Sequence, residues 1–272
     1  MKFTVLGSSG FVGRHLADHL RATGVEVFEP TRGDPELFKR QLGHVVYCIG
    51  LTADFRERPF ATIDAHVSVL NTILERAEFD SLLYLSSTRV YARSDFANED
   101  AVLSVSSLDP SDLYNLSKLT GESICFASGR SNVRAVRLSN VIGPDTGSSN
   151  FIYDISREAL SGIIRLRTHP LSAKDYIGID DLVGLLAKIA VSGKRNLYNA
   201  ASGYNVSHKE WIDRLQSLTK CKIEVAENSK IWTFPQIDTT RVVDEFGFRA
   251  KPVIEYLPDI LSQLVHEMEQ LT

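Results

Sequence analysis

The heptapeptide GSSGFVG, with Gly7, Gly10 and Gly13, constrains this chain more than any other stretch. It follows the short apolar run FTVL at 3–6 and opens a segment of helical period through His15, Leu16 and Leu20. A glycine in the tight turn permits positive φ, a second lets backbone approach an anion, and a third lets the helix pack closely on the strand. The unpaired amides of a helix N-terminus then face that anion, so the loop predicts a pyrophosphate cradle, a dinucleotide site formed by Gly7, Ser9, Gly10, Phe11, Val12 and Gly13. The plain alternative is a glycine-rich turn with no ligand.

The loop's context recurs along the chain. Short apolar runs, VVYCI at 45–49, LLYL at 82–85 and a weaker one at 133–138, alternate with longer helical segments. Parallel strands covered on both faces read as nearly continuous apolar stretches, so the pattern predicts an α/β fold, a doubly wound, Rossmann-like parallel sheet. Between Arg32 and Val45 the chain is too short for the helix, strand and second helix of a full repeat. One βα unit is therefore missing and about six strands are expected. After Asn140 the pattern loosens into GPDTGSSN, a loop by composition. We expect residues 1–145 to bind the dinucleotide and 146–272 to form mainly a smaller, mixed substrate region, with some segments returning to the main sheet. Residues 180–191 have helical spacing. Ser207 and Glu210 form a capping box in which His208 reads as a solvated first-turn residue. Residues 253–271 read as a final amphipathic helix whose apolar face would support a homodimer.

The net charge of -4 over 272 residues favours neither nucleic acid nor an anionic membrane, so a small molecule is the expected partner. No apolar run reaches the roughly 20 residues of a membrane span. No basic region precedes an apolar core near Met1, so no signal peptide is read. Cys48, Cys125 and Cys221 lack CxxC spacing and stand in apolar-rich segments, as small buried hydrophobes do. We expect a cytoplasmic protein without a metal site.

Beyond the second strand the chain reads EPTRGD. An acidic residue ending that strand would bind ribose hydroxyls, whereas Thr31 and Arg32 suit a 2'-phosphate. NADP is the favoured cofactor over NAD, with Glu29 or Asp34 open to the acidic role if the strand ends elsewhere. In YNLSKLTGE, Tyr114 and Lys118 are four residues apart on one helix face, where an ammonium group and a nicotinium charge would favour the phenolate of a side chain whose ordinary pKa is about 10. Such a pair alone is common on helix surfaces. Here it accompanies LYLSSTRVYA, a buried strand ending in Ser86 and Ser87 at the carboxyl edge, where ligands of open α/β sheets bind.

The loop GSSGFVG, the strand end SSTRVY, the helix YNLSKLTGE and the segments RLSNVIGP and KDYIGIDDL occur in one order. Over nearly its whole length the chain resembles the extended short-chain dehydrogenases, most of all nucleotide-sugar epimerases and 4-ketoreductases. The resemblance implies that Ser87 hydrogen-bonds the reacting sugar oxygen, Tyr114 exchanges its proton, and Lys118 holds the cofactor ribose and assists Tyr114. Ser86 is the lesser candidate. Asn140 would approach the nucleotide-sugar or support the turn into Gly143 and Pro144. Lys174 stands where many members carry an arginine aimed at the substrate diphosphate, and a lone exposed lysine is the alternative. Asp180 and Asp181 read as helix-start carboxylates.

Two departures matter. Where family dehydratases carry an acidic pair, this chain has Thr88 and Arg89, neither a credible general acid or base at neutral pH, so dehydration is disfavoured. His66 replaces a usual asparagine and reads as a satisfied helix histidine. The expected activity is NADP-dependent 4-keto reduction of a nucleotide-sugar. The alternative is a 4-epimerase retaining NAD, toward which Thr31 and Arg32 tilt the reading less. Relatives that bind the dinucleotide only as sensors or structural subunits often lose the tyrosine or lysine, and both are present here.

Overall fold

The computed structural model describes residues 1–52, 54–144, 150–227 and 229–270. In chain order, the first half holds β1 (Lys2–Leu6), α1 (Phe11–Ala22), β2 (Glu26–Phe28), β3 (His44–Tyr47), α2 (Pro59–Ile63), α3 (Val69–Arg76), β4 (Ser81–Ser87), α4 (Leu113–Ala127) and β5 (Val133–Leu138). A π-helical turn, Asp64–Ser68, joins α2 to α3. The second half holds β6 (Asn140–Ile142), α5 (Phe151–Leu160), β7 (Ile163–Leu166), β8 (Ala173–Gly178), α6 (Ile179–Ser192) and β9 (Leu197–Ala200). It ends with β10 (Asn205–Ser207), α7 (His208–Thr219), β11 (Lys222–Val225), α8 (Thr240–Phe246) and α9 (Leu257–Gln270).

Six strands form one parallel sheet in the order β2-β1-β3-β4-β5-β9. Strand alternation divides its apolar side chains between two cores. Phe3, Val5, Val46, Leu83 and Leu85 pack with α1 and α6, while Leu6, Val45, Tyr47, Leu82 and Tyr84 pack with α3 and α4. The sheet is therefore doubly wound, and its strand order reverses between β1 and β3, where open α/β sheets leave a crevice. The β2 to β3 connection contains a short 3-10 turn at Pro35–Phe38 and no α-helix, as the missing unit predicts.

From the second half, β9 joins the main sheet and α6 covers it. A smaller sheet, β10-β8-β6, with β10 antiparallel to β8, stands beside a two-stranded β11-β7 pair. The capping box forms at α7: Glu210 N donates to Ser207 Oγ at 3.2 Å, and Ser207 N donates to Glu210 Oε2 at 2.8 Å. At the start of α6, Asp181 accepts from Lys251 N at 2.7 Å and Asp180 from the Tyr256 hydroxyl at 3.3 Å, tying down the C-terminal segment. The last amphipathic segment is a 3-10 turn, Val253–Tyr256, leading into α9, and Leu271 lies outside the described residues. Its apolar face, Leu257, Ile260, Leu261 and Leu264, is spent on the core and packs near α5. Val265 and Met268 of the same helix stay exposed. No helix among the described residues is long and apolar enough to cross a membrane.

Candidate active site

A cavity of about 850 Å³ opens over the carboxyl ends of the main strands, between the turn into α1 and the small sheet. At its first end, Gly7 adopts φ +85° and its carbonyl accepts from Gly10 N at 3.1 Å. A Cβ on Gly13 would collide with that same carbonyl oxygen, so the third glycine is what lets α1 sit against the turn. Gly10 is the N-cap of α1, and no side chain caps the helix. Gly10, Phe11, Val12 and Gly13 line the cavity with first-turn amides that suit an anion. This open cradle fits a dinucleotide pyrophosphate. Ser9 is exposed at the tip of the turn and lies outside the cavity wall.

Thr31 and Arg32 occupy an exposed turn after β2, also outside the wall. Both neighbouring acids are engaged: Glu29 pairs with Arg21, and Asp34 accepts from Glu36 N at 2.9 Å as the cap of the 3-10 turn.

The chemistry-bearing residues meet where β4 ends. Alternation along the strand sends Ser86 and Ser87 to opposite sides. Ser86 Oγ is buried and donates to Glu122 Oε1 at 2.5 Å, which ties it to α4. Ser87 borders the cavity within interaction range of the Tyr114 hydroxyl and accepts from Arg89 N at 3.2 Å. Asp109 caps the turn Pro110–Asp112 that feeds α4, accepting from Ser111 N at 2.8 Å. One helical turn beyond Tyr114, Lys118 donates to Leu85 O at 2.9 Å, with Nζ 5.9 Å from the Tyr114 ring centre. The structure thus brings Ser87, Tyr114 and Lys118 together. Burial pushes the Tyr114 phenol above its ordinary value, against the neighbouring Ser87 hydroxyl and the Arg89 charge. Burial also pulls Lys118 down to about 7, against Glu122.

His66 fastens this cluster from behind. Its Nδ1 is 2.7 Å from Ser117 Oγ, whose proton goes to Tyr114 O at 2.8 Å, so the network gives Nδ1 the hydrogen. Nε2 then accepts from Leu51 N at 3.2 Å. Burial and the neighbouring Lys118 push this imidazole down to about 3. The hydroxyls of Tyr47 and Tyr84 donate to the carbonyls of Ala65 and His66, which the π-helical turn frees. The histidine is fully satisfied, as expected from the sequence.

Of the substrate-side candidates, Asn140 is exposed on the cavity wall while its Nδ2 donates to Asp175 O at 2.8 Å, pinning β6 to β8. Lys174 is partly buried on the wall, with Nζ 5.7 and 5.8 Å from the Trp232 and Phe234 ring centres. It is not the exposed lysine of the alternative reading.

A model of the NAD dependent epimerase/dehydratase family matches residues 3–201. The chain belongs to the NAD-dependent epimerase/dehydratase family. It is an NAD(P)-dependent enzyme of the extended short-chain dehydrogenase/reductase type. It is 25% identical over 257 residues to GDP-6-deoxy-D-mannose reductase of Pseudomonas aeruginosa, covering 82% of each chain. Among solved structures it is similar to MoeE5 in complex with UDP-glucose and NAD (TM-score 0.83, 20% identity, 98% of this chain and 100% of that one). RMD from Pseudomonas aeruginosa complexed with NADPH gives a TM-score of 0.80 at 22% identity, covering 97% and 99%. UDP-glucose 4-epimerase from Thermotoga maritima, with UDP-glucose, gives 0.79 at 16%, covering 98% and 100%.

Against this epimerase/dehydratase frame, sequence reasoning erred at His208. Far from solvated, it is buried, stacked on Phe151 at 4.2 Å and bonded through Nδ1 to Thr168 Oγ1 at 2.7 Å. A capping box places a polar first turn but says nothing of α5, which docks over it. Sequence reasoning also missed Glu122 and Arg137, a buried pair behind the carboxyl end of β4, bonded at 2.9 Å (Nε to Oε1) and 2.7 Å (Nη2 to Oε2). The glutamate of YNLSKLTGE was a weak signal, four residues beyond Lys118 on the same helix face. Among the cysteines, Cys125 and Cys221 are buried, whereas Cys48 lines the cavity with its thiol pushed up to about 12 by burial.

Proposed function

We propose that this protein reduces a nucleotide-linked 4-keto sugar, with residues 1–145 holding NADPH and 146–272 mainly holding the substrate. When bound, the dinucleotide supplies the hydride. The single observation that carries the reading is the meeting of Ser87 with Tyr114, one helical turn from Lys118, at the edge of a cavity that begins at the open N-terminus of α1.

Each side chain has work in reduction. Ser87 donates a hydrogen bond to the ketone oxygen and fixes its distance from Tyr114. Tyr114, its pKa raised by burial, is a neutral phenol at neutral pH and so holds the proton that the oxygen takes as the carbonyl becomes an alcohol. Lys118 supports that proton transfer and binds the cofactor ribose. Asn140 and Lys174 hold the nucleotide-sugar, the lysine at its diphosphate. Thr88 donates to Leu138 O at 3.2 Å and Arg89 is a cation, so the edge lacks the acidic pair that dehydration would use.

The choice of NADPH draws on Glu29 and Asp34 being engaged, which leaves Thr31 and Arg32 to meet the adenosine ribose. The similarity to a reductase at 25% identity supports the same direction. A 4-epimerase retaining NAD is the second reading, favoured by Thr31 and Arg32 standing outside the cavity wall.

A screen of nucleotide-4-keto sugars and nucleotide-hexoses with each nicotinamide, followed at the reduced-nicotinamide band, tests the proposal. A reductase consumes NADPH that binds reversibly, whereas an epimerase purifies with NAD and converts hexose without net absorbance change. Tyr114→Phe should lower turnover about 10²- to 10⁴-fold with NADPH affinity retained. Full activity in that variant overturns the assignment.

A further inference from the structure

Three cations line the cavity among the described residues: Arg89, Lys118 and Lys174. The proposed function uses Lys118 at the cofactor ribose and Lys174 at the substrate diphosphate. Arg89 is left over. It follows Ser87 by two residues, and its guanidinium carbon lies 5.5 Å from the Phe55 ring centre and 6.0 Å from that of Tyr114. It therefore stands at the reacting end of the cavity.

Its hydrogen bonding is incomplete. Nη2 donates to Ser111 O at 3.3 Å, and Nε is buried without a partner. No ion pair joins Arg89 to a carboxylate among the described residues, because the nearby acids are spoken for. Arg93 takes Asp109 at 2.5 Å and Asp112 at 3.0 Å. Asp175, the acidic residue of the cavity wall, accepts from Ser202 N and Oγ at 3.0 Å each and from Gly203 N at 2.8 Å. Arg56, bonded to Ser111 Oγ at 3.0 Å, adds a like charge that repels Arg89, against the weaker pull of Asp112 and Asp109, which Arg93 already pairs. A partly buried guanidinium with an unfilled donor and a repelling neighbour is stabilised by an anion, and a planar carboxylate matches its fork.

Geometry decides which part of the substrate supplies that anion. In a nucleotide-linked hexose the diphosphate leaves C1, on the far side of the ring from C4. Of the two carbons beside C4, C3 bears a hydroxyl and C5 bears C6, the position that oxidation turns into a carboxylate. With the C4 oxygen held by Ser87 and Tyr114, a charge beside those residues falls on a substituent of a carbon next to C4.

Resting on the nucleotide-sugar reading, we propose that Arg89 binds a carboxylate carried on the carbon next to the reacting one, so that the substrate is a nucleotide-linked sugar acid. A neutral hydroxymethyl or methyl group at that place would leave the guanidinium without its counter-ion.

The test is calorimetric titration of the NADP-loaded enzyme with nucleotide-sugar pairs that differ only in oxidation at C6: UDP-glucose with UDP-glucuronic acid, and GDP-mannose with GDP-mannuronic acid. In the pair whose nucleotide fits, the acid should bind about 10- to 100-fold more tightly than its neutral partner, as a charge-assisted bidentate contact implies. Arg89→Gln should collapse that ratio to about 1. Arg89→Lys, which keeps charge without the fork, should give an intermediate ratio, and NADPH affinity reports that each variant is folded. A ratio near 1 in the unaltered enzyme overturns the proposal. So does a ratio that Arg89→Gln leaves intact because both ligands weaken together, which would place Arg89 at the diphosphate. Failure of every nucleotide-sugar to bind an enzyme that still binds NADPH overturns the underlying nucleotide-sugar reading instead, and this proposal with it.

Discussion

Replacing Glu122 by leucine tests whether the proposed catalytic edge stands on a buried charge pair. The two side chains are only 4% and 5% exposed. Glu122 accepts from Ser86 at 2.5 Å and twice from Arg137, whose Nη1 also donates to the Tyr91 hydroxyl at 2.7 Å. Without Glu122 the guanidinium stays buried with Tyr91 as its remaining hydrogen-bond partner. Orphaning a buried ion in this way costs about 3–5 kcal/mol. Against a total stability of about 5–15 kcal/mol, that is a large share. Urea unfolding followed by tryptophan fluorescence reads the change, since Trp211 is fully buried. With a slope of about 3 kcal/mol per molar, the midpoint should fall by roughly 1 M or more. Glu122→Leu combined with Arg137→Met removes both charges, and its midpoint should return most of the way, because apolar replacement of a whole buried pair is often neutral within about 1–2 kcal/mol. A double variant that unfolds as early as the single one would refute the reasoning, since the loss would then come from packing.

Two further expectations follow from individual side chains. His66 is held neutral, with its pKa pushed down to about 3 from an unfolded value near 6.5. The unfolded chain therefore binds the extra proton between those values, and the stability present above pH 6.5 is lost as pH falls toward 3, by about 3 kcal/mol at pH 4. His66→Asn should remove about one proton's worth of slope from stability against pH in that window, measured by urea midpoints, and an unaltered slope counts against the buried neutral imidazole. Gly13→Ala drives a Cβ into the Gly7 carbonyl, backbone against backbone. It should weaken NADPH binding about tenfold or more by fluorescence titration, as overpacking by about 1–3 kcal/mol implies, and an unchanged affinity would show that the cradle has room to shift.

What the sequence disclosed was local. The loop at Gly7 to Gly13 sits directly between its strand and helix, Tyr114 and Lys118 share one helix face, and buried strands such as 82–85 announce themselves by apolar continuity. Contacts between distant segments were not legible. Nothing in the order of residues says that Asn199 of β9 meets the Tyr91 hydroxyl at 2.9 Å, or that Arg137 of β5 reaches Glu122 of α4. His208 shows the same limit from the other side: its capping box was readable because it spans four residues, and its burial was not, because α5 arrives from elsewhere in the chain. Arg89 was legible only as something a dehydratase would lack. Its unfilled donor becomes visible once Asp109, Asp112 and Asp175 are seen to be occupied.

The pairing of Ser86 with Ser87 links stability to the proposed catalysis. Successive side chains of a strand point to opposite faces, so one serine ties β4 to α4 through Glu122 while its neighbour is left to meet Tyr114 on that same helix. Lys118 adds a second tie between the two elements at Leu85 O, while His66 fastens α4 to the π-helical turn through Ser117. Two buried hydrogen-bonded ties between β4 and α4 therefore set the Ser87–Tyr114 spacing, and neither uses the hydroxyls of Ser87 and Tyr114. That division is what positioned catalysis requires, because a displacement of about 1 Å at the reacting atoms costs roughly 10²-fold in rate. It also means that a one-residue slip of β4 would do more than move a serine: it would exchange the anchoring hydroxyl for the reacting one and undo both at once.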